Sequence, residues 1–359
     1  MKNKVLIIKY NQAGFEEYYS KKLKELKCDI LNVHELSNLS ESCGICDFNM
    51  GHSVRRYFQK HNLQDYKMII VFDAVYLIPA IDYVTSSKCK IILWMWNTIE
   101  EYNIKRLYLA KEFAEVWTFD KGDAQKYGLH FSEQFYFAPS DMASTITNKT
   151  AFFVGADKDR MKTICKLSTE LTKIGYISDF HVLPDSDRKY KHDEQVFLLK
   201  ERMDYFQVID HVKNCSVVLD LVKEGQVGLT VRTLEAAFYG KKVITNNKAA
   251  RYYDLYKFGN IYILEEENYK LENFLIAPFK EYPKEVLSEY TAQRWLDNLS
   301  SGKESELDIY GDVRHTDSKQ ASKQASKQAS KQASKPLYFC CSIIIRMLLL
   351  LKDKFFPRQ

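Results

Sequence analysis

The stretch from Asp220 to Asn247 carries the residue types of an anion-binding site. Its pattern predicts a strand, a loop, a helix, a glycine turn and a second strand. Thr230 stands where the N-cap of the helix is expected, and the positive end of a helix favours an anion. Arg232, in the first turn, could hold a phosphate through two parallel hydrogen bonds. The stretch therefore predicts a pocket for a nucleotide diphosphate.

Four more residues of this stretch complete the pattern. Glu235 follows Arg232 by about one turn and could accept hydrogen bonds from ribose or sugar hydroxyls. Gly228 loosens the preceding loop and exposes backbone N–H groups, as does Gly225. Gly240 is placed to end the helix. An ordinary βαβ unit with a capped helix would use the same residues, so the spacing leaves both interpretations open.

A second candidate for anion binding lies in Phe152–Arg160. Here a strand is predicted to end at Gly155, and Arg160 begins the next helix. Gly155 would let a phosphate or a sugar approach the backbone, and Arg160 would neutralise its charge. A turn glycine followed by a solvated arginine is the alternative.

In the first half, polar residues follow several predicted strands. The carboxyl ends of the strands of an open parallel sheet form its binding edge. Asn11 and Gly14 follow the first strand and, with Asn97, are candidates to contact an acceptor. Asp73 is the candidate base that takes a proton from an acceptor hydroxyl, with Asp120 as the second choice. Asp at a strand end equally often caps a turn or a helix.

Short apolar runs alternate with amphipathic helical stretches along most of the chain. This alternation predicts parallel sheets covered by helices on both faces. The series restarts after about residue 150, so the expected fold class is α/β, with two Rossmann-like domains that face a cleft. Among the predicted strands is Gln134–Phe137, and helices are predicted at Ile99–Phe113 and Pro283–Leu299, the last crossing back to the first domain.

The restart of the strand and helix series, and a change of composition after Gly302, divide the chain into four segments. Residues 1–145 form the predicted acceptor domain and residues 146–302 the donor domain. Residues 303–336 form a low-complexity linker, in which Ser-Lys-Gln-Ala occurs four times and begins again. A repeat this short has no core and predicts disorder or transient helix. Residues 337–359 form a basic and apolar tail.

The net charge of +5 is distributed unevenly. Residues 314–359 carry ten Lys/Arg and two Asp, a local charge of +8, which leaves residues 1–313 at −3. An acidic body argues against nucleic acid as a partner. The basic tail suits the anionic inner face of the cytoplasmic membrane. A stretch of fifteen residues interrupted by Arg346 is too short to span a bilayer but could lie in its interface.

The N-terminal residues show no signal-peptide pattern, and no run reaches the roughly 20 apolar residues of a spanning helix. We therefore expect a cytoplasmic protein, peripheral on the inner face of the cytoplasmic membrane. Its eight cysteines are most simply reduced thiols, and the pair Cys43 and Cys46 lacks the second pair that a zinc site needs. The glycine motifs of dinucleotide and P-loop sites are absent. No cofactor and no metal are expected.

The repeat suggests a hypothesis about the gene. Three copies of the tetranucleotide CAAG encode Gln-Ala-Ser-Lys, so a slippage-prone tract of that unit would produce this repeat and allow phase variation. A plain linker is the alternative. The tail is then either a membrane anchor or the product of one reading frame beyond the tract.

Three stretches carry a resemblance to a known family. Gly228–Thr245 resembles the donor-binding segment of GT-B glycosyltransferases, in which an acidic residue of the helix contacts the nucleotide. The run from Arg232 to Asn247 is similar to that of bacterial lipopolysaccharide and capsule glycosyltransferases, as are Phe152–Arg160 and Trp117–Asp120. Ten residues separate Glu224 from Glu235, where the family has seven between its two glutamates, so only Glu235 is carried over.

The resemblance implies a metal-independent, hexosyltransferase-like enzyme. It would move a sugar from a nucleotide-activated donor to a lipopolysaccharide, capsule or related glycan, or to a lipid-linked acceptor. Gly155, Arg160, Gly228, Thr230, Arg232 and Glu235 would bind the donor. Two alternatives stay open: a non-catalytic two-lobed sugar-binding protein, and a nucleotide-sugar epimerase of the same shape.

Overall fold

The computed structural model describes residues 4–9, 14–33, 55–100, 104–139 and 148–309. Residues 1–307 form one compact unit. Residues 308–359 form a second unit, of which only positions 308 and 309 are described. The repeat and the tail therefore lie outside the described residues. Among the described helices, none is long and apolar enough to cross a membrane.

The first sheet has six parallel strands in the order β2-β1-β3-β4-β5-β6. Its strands are β1 (Val5–Lys9), β2 (Cys28–Asn32), β3 (Met68–Phe72), β4 (Lys90–Met95), β5 (Glu115–Thr118) and β6 (His130–Phe131). Between them lie the helices α1 (Gly14–Glu25), α2 (Ile78–Val84), α3 (Ile104–Ala110) and α4 (Lys121–Tyr127), and residues 55–59 are also helical. Every residue of β3 is buried, as helices on both faces require. The chain reverses direction across the sheet between β1 and β3, which makes this pair the switch point.

The second sheet has five parallel strands in the order β11-β10-β9-β7-β8. Its strands are β7 (Thr150–Ala156), β8 (Ile177–Leu183), β9 (Val217–Asp220), β10 (Lys242–Thr245) and β11 (Ile261–Ile263). The helices are α5 (Met161–Lys173), α6 (Tyr205–Asn214), α7 (Val231–Phe238), α8 (Leu271–Ile276), α9 (Lys284–Ser288) and α10 (Ala292–Ser301). Here the switch point lies between β7 and β9. Two parallel α/β sheets confirm the predicted fold class.

The predicted strand Gln134–Phe137 is wrong. Only Tyr136 forms a bridge, to Thr291, and its N–H donates to the carbonyl of Tyr290. The segment pairs with the chain entering α10 and does not join the sheet, whose edge strand is β6. The aromatic side chains of this segment are buried, and they gave the sequence the apolar pattern of a strand. A buried loop needs apolar side chains for the same reason, so the pattern does not distinguish the two.

The last helical region returns to the first sheet, as predicted, but as two helices. The break precedes Thr291, whose hydroxyl accepts from the Arg294 N–H and begins α10. Trp295 of α10 stacks on Phe135 at 4.1 Å between ring centroids and meets Trp94 of β4 edge-on at 5.4 Å. The helix Ile99–Phe113 was predicted too long, since α3 begins only at Ile104.

Candidate functional site

A cleft of about 610 Å³ lies along the carboxyl edges of both sheets. Eight of the ten predicted site residues line it: Gly14, Asp73, Asn97, Gly155, Arg160, Thr230, Arg232 and Glu235. Gly228 is outside the lining, and Asn11 is outside the described residues. Residues that follow strands in both sheets thus meet at the edge where a parallel sheet places its ligand.

Five cationic side chains line the cleft: Lys158, Arg160, Arg202, Lys223 and Arg232. Two of them are neutralised by neighbours, because Lys223 pairs with Glu100 at 3.0 Å and Arg232 pairs with Glu235. In the described part of the chain, Lys158, Arg160 and Arg202 form no ion pair within 4 Å. The cleft therefore has cationic charge available for an anionic ligand.

Arg160 is half-buried in the cleft lining and forms no ion pair among the described residues. Its Nε is buried, with no hydrogen-bond partner among the described residues. Burial lowers the pKa of the guanidinium, although Asp220 and Asp157 oppose the shift. A buried donor without a partner costs about 1–3 kcal/mol, which a bound anion would recover.

Gly155 lies beside the Arg160 guanidinium. A Cβ on Gly155 would lie 3.3 Å from Cζ of Phe153 and 3.5 Å from Nη1 of Arg160. The guanidinium thus lies against the bare backbone at the end of β7. This contact has an ordinary van der Waals length, so the close approach of a phosphate or a sugar to Gly155 stays a prediction.

Asp157 anchors the loop that carries Arg160, a role that its place in the motif did not suggest. Its fully buried carboxylate accepts from the Met161 N–H at 2.9 Å, and so holds the first turn of α5. The other oxygen accepts from Arg188 and from the Tyr190 hydroxyl, both at 2.8 Å. The two residues that follow, Lys158 and Asp159, have φ of +42° and +64°. Such strain costs of order 1–3 kcal/mol at a non-glycine residue and is typical of ligand-binding turns.

Thr230 caps α7, which confirms the expected helix start. Its hydroxyl oxygen accepts from the N–H groups of Arg232 at 3.0 Å and Thr233 at 3.4 Å. The same hydroxyl donates to Asp220, as does that of Thr233, at 2.8 and 2.5 Å. Two amides of the helix end are thus already satisfied, and a carboxylate lies beside them. The N-terminus of α7 therefore has fewer free N–H groups for an anion, and less positive charge, than the sequence predicts.

Glu235 is buried and engaged on both oxygens. One oxygen meets the Arg232 guanidinium, and the other accepts from the Tyr205 hydroxyl at 2.5 Å. Burial raises the pKa of the Glu235 carboxyl, while Arg232 and the Tyr205 hydrogen bond lower it. Tyr205, at the start of α6, lines the cleft too, and no local signal identifies it. A ligand hydroxyl would have to share Glu235 with these two partners.

Gly228 lies at the contact between the two halves of residues 1–307, each half being one sheet with its helices. Its N–H and that of Val227 both donate to one oxygen of Asp120 at 2.8 Å. The other oxygen of Asp120 accepts from the Asp123 N–H and caps α4. A Cβ on Gly228 would lie only 2.6 Å from the Phe119 ring and 2.7 Å from its carbonyl oxygen. Gly228 therefore allows the backbones of the two halves to come into contact. Both carboxylate oxygens of Asp120 are used, one to cap α4 and one to bind the loop before α7.

Asp73 follows β3, one of the two strands that border the first switch point, and has φ of +53°. Its carboxylate accepts from the Trp96 N–H at 2.6 Å and from the Asn97 side-chain amide at 2.6 Å. Burial raises the pKa of Asp73 to about 6, although these hydrogen bonds oppose the shift. A carboxylate with this pKa can accept a proton near neutral pH. Asn97 holds it in place.

Gly14 also marks a close approach between the halves. A Cβ there would lie 3.0 Å from Oδ2 of Asp204 and 3.5 Å from the Tyr205 nitrogen. Phe15 and the half-buried Trp96 continue this wall, with ring centroids 5.3 Å apart. The first half therefore contributes aromatic side chains to the cleft lining.

No protein-family model and no curated protein matches this sequence. Among solved structures, a glycosyltransferase from Rickettsia africae ESF-5 is similar, with 11% identity and a TM-score of 0.45 over 84% of this chain and 89% of that one. A UDP-GlcNAc 2-epimerase from Methanocaldococcus jannaschii gives 11% identity and a TM-score of 0.44 over 83% and 100%. An alpha-glucosyltransferase in complex with UDP-glucose and DNA containing an abasic site gives 9% and 0.46 over 92% and 99%. At this level of identity we base the function on the residues of the cleft.

Proposed function

We propose that the chain is a glycosyltransferase that moves a sugar from a nucleotide-activated donor to a glycan acceptor. The Nε of Arg160, which is buried without a hydrogen-bond partner among the described residues at the switch point of the second sheet, is the observation that carries the proposal. It lies in a cleft whose volume falls within the roughly 300–1,000 Å³ of ligand pockets. Lys158 and Arg202 add unpaired charge for the diphosphate.

The proposed reaction uses the two walls of the cleft differently. The acceptor hydroxyl loses its proton to Asp73 as its oxygen bonds to the sugar, and the bond from the sugar to the diphosphate breaks. Negative charge grows on the leaving diphosphate, where Arg160 and Lys158 stabilise it. These cations can do the work that a metal ion does in other transferases, so we propose a metal-independent reaction without a cofactor.

The acceptor belongs to the finer part of the proposal. We propose a lipopolysaccharide, capsule or related glycan, or a lipid-linked precursor, reached at the inner face of the cytoplasmic membrane. The sequence resemblance and the basic tail support this class. Phase variation through the repeat belongs to the same proposal and is tested on the DNA, where mixed codons in twelve-nucleotide units would refute it.

The test measures binding and turnover of nucleotide sugars by the full chain. One donor from a panel should raise the melting midpoint, and Arg160→Ala should weaken its binding tenfold or more. Arg294→Ala is the matched control, because Arg294 pairs with Glu289 and does not line the cleft. Equal binding by wild type and Arg160→Ala would refute the site.

Product analysis separates the alternatives. With a glycan acceptor, a transferase releases the nucleoside diphosphate and lengthens the glycan. An epimerase would convert the donor without any acceptor, and a sugar-binding protein would bind without turnover. Either of these two results would overturn the proposed activity and leave the binding site intact.

A further inference from the structure

Outside the cleft, Asp179, His181 and His211 bring three metal-ligand side chains together. Asp179 and His181 are two residues apart on β8, so both side chains point to the same face of the sheet. His211 comes from α6, which packs on that face. The ligand atoms of the three residues all lie within 4.8 Å of one another.

The geometry of the three residues suits a small cation. His181 Nε2 lies 2.7 Å from one oxygen of Asp179, and His211 Nδ1 lies 2.5 Å from the other. Around a tetrahedral zinc ion, with bonds of about 2.0–2.1 Å, neighbouring ligand atoms are about 3.3 Å apart. Each imidazole nitrogen would therefore move less than about 1 Å away from its Asp179 oxygen to admit the ion.

The surroundings of the cluster also suit a bound cation. The three side chains are 24–33% exposed, which leaves room for water as a fourth ligand. The ring of His211 stacks on that of Phe152, with 5.1 Å between the centroids and 11° between the ring planes. This contact fixes the orientation of the imidazole. Two imidazoles and one carboxylate are a donor set that suits Zn²⁺.

We propose that Asp179, His181 and His211 bind a Zn²⁺ ion that ties α6 to β8. None of the three residues lines the cleft, so the ion would act on the packing of α6 against β8 and not on a ligand in the cleft. Helix α6 begins at Tyr205, the hydroxyl partner of Glu235, so the ion would also steady one wall of the cleft. The site rests on its own geometry and does not depend on the proposed transferase activity.

Zinc titration of the full chain, stripped with a chelator and free of any affinity tag, tests the proposal. Competition with a chromophoric chelator should give one tight site per chain, and zinc should raise the melting midpoint. Asp179→Asn and His211→Gln should each weaken zinc binding tenfold or more. His130→Gln is the control, since His130 pairs with Glu304 on the surface far from this cluster in the fold.

Cobalt substitution identifies the ligands. Co²⁺ at this site should show the visible bands of nitrogen and oxygen ligands without the near-ultraviolet band of thiolate. A thiolate band, or equal zinc affinity in wild type and both variants, would place the metal on the cysteines and refute the proposal. Failure to bind zinc at micromolar concentration would also refute it and leave a hydrogen-bonded Asp–His cluster.

Discussion

At the scale of single residues, the cleft separates cations that are already paired from those that remain available. Arg232 has the position expected of a phosphate ligand, yet Glu235 neutralises it. Arg160 has no such partner among the described residues, and its Nε is buried without a hydrogen bond. We therefore propose that Arg160 makes the main contact with the diphosphate and that the Arg232–Glu235–Tyr205 group has a supporting role.

Asp73 provides a test through pH. If it is the base, kcat/KM should fall as the pH drops below about 6, where burial places its pKa. Asp73→Asn should lower kcat by about 10²–10⁴-fold, the usual contribution of a general base. A pH profile of transfer by both proteins makes the comparison. Unchanged turnover in the variant would leave Asp73 with only its turn-stabilising role.

The contribution of Asp73 to the free energy of unfolding should depend on pH in the opposite direction to kcat/KM. Because the folded pKa of Asp73 lies above that of the unfolded chain, the folded state binds more protons between about pH 4 and 6. The contribution of Asp73 to the free energy of unfolding is therefore greatest at low pH and is lost as the pH rises through 6. The slope attributable to this residue should disappear in Asp73→Asn.

At the scale of elements, two loops at the strand ends are held by buried carboxylates. Asp157 holds the loop after β7 to the start of α5. Asp120 holds the loop before α7 to the first half of the unit. Asn247 supports that second loop, since its amide donates to the carbonyls of Val227 and Gly228. Both loops are therefore formed before a ligand arrives, which reduces the entropy that binding must overcome.

Two glycine substitutions test this arrangement. Gly228→Ala should lower the free energy of unfolding by about 1–3 kcal/mol, because its Cβ would meet the ring and carbonyl of Phe119. Gly155→Ala should cost less, since its contacts would be 3.3 and 3.5 Å. Urea unfolding of both variants measures the difference. Equal losses would show that the loop before α7 can move away from Phe119.

At the scale of the whole molecule, aromatic side chains join the two sheets. One hydrophobic cluster contains Phe72 and Trp94 from the first sheet, and Phe152 and Val218 from the second. The aromatic content of 14% is thus used in part for packing between the halves. Trp295 brings the end of the chain back to the first sheet.

Trp295→Ala should destabilise the unit by about 3–5 kcal/mol, the usual cost of emptying a buried aromatic site. Trp295→Phe should cost less, because the indole N–H has no partner among the described residues and no hydrogen bond would be lost. Urea unfolding, followed by circular dichroism, measures both. An equal loss in the free energy of unfolding of the two variants would show that the volume of the Trp295 side chain is not the source of its stabilising effect.

Local spacing along the chain was enough to predict the two parallel sheets, the Thr230 cap and the Gly240 turn, where φ is +65°. It also predicted eight of the residues that line the cleft, because the carboxyl ends of parallel strands share one edge. Hydrophobic period and capping chemistry act over a few residues, so they are legible without the fold.

The partners of the charged groups required the folded chain. Asp120 meets Gly228 across 108 positions, and Tyr205 meets Glu235 across 30. His211 joins Asp179 from another element in the same way. No local rule fixes such distances, since they arise when helices and loops pack. Packing thus determined that Arg232 is neutralised and that Arg160 is left available to an anion.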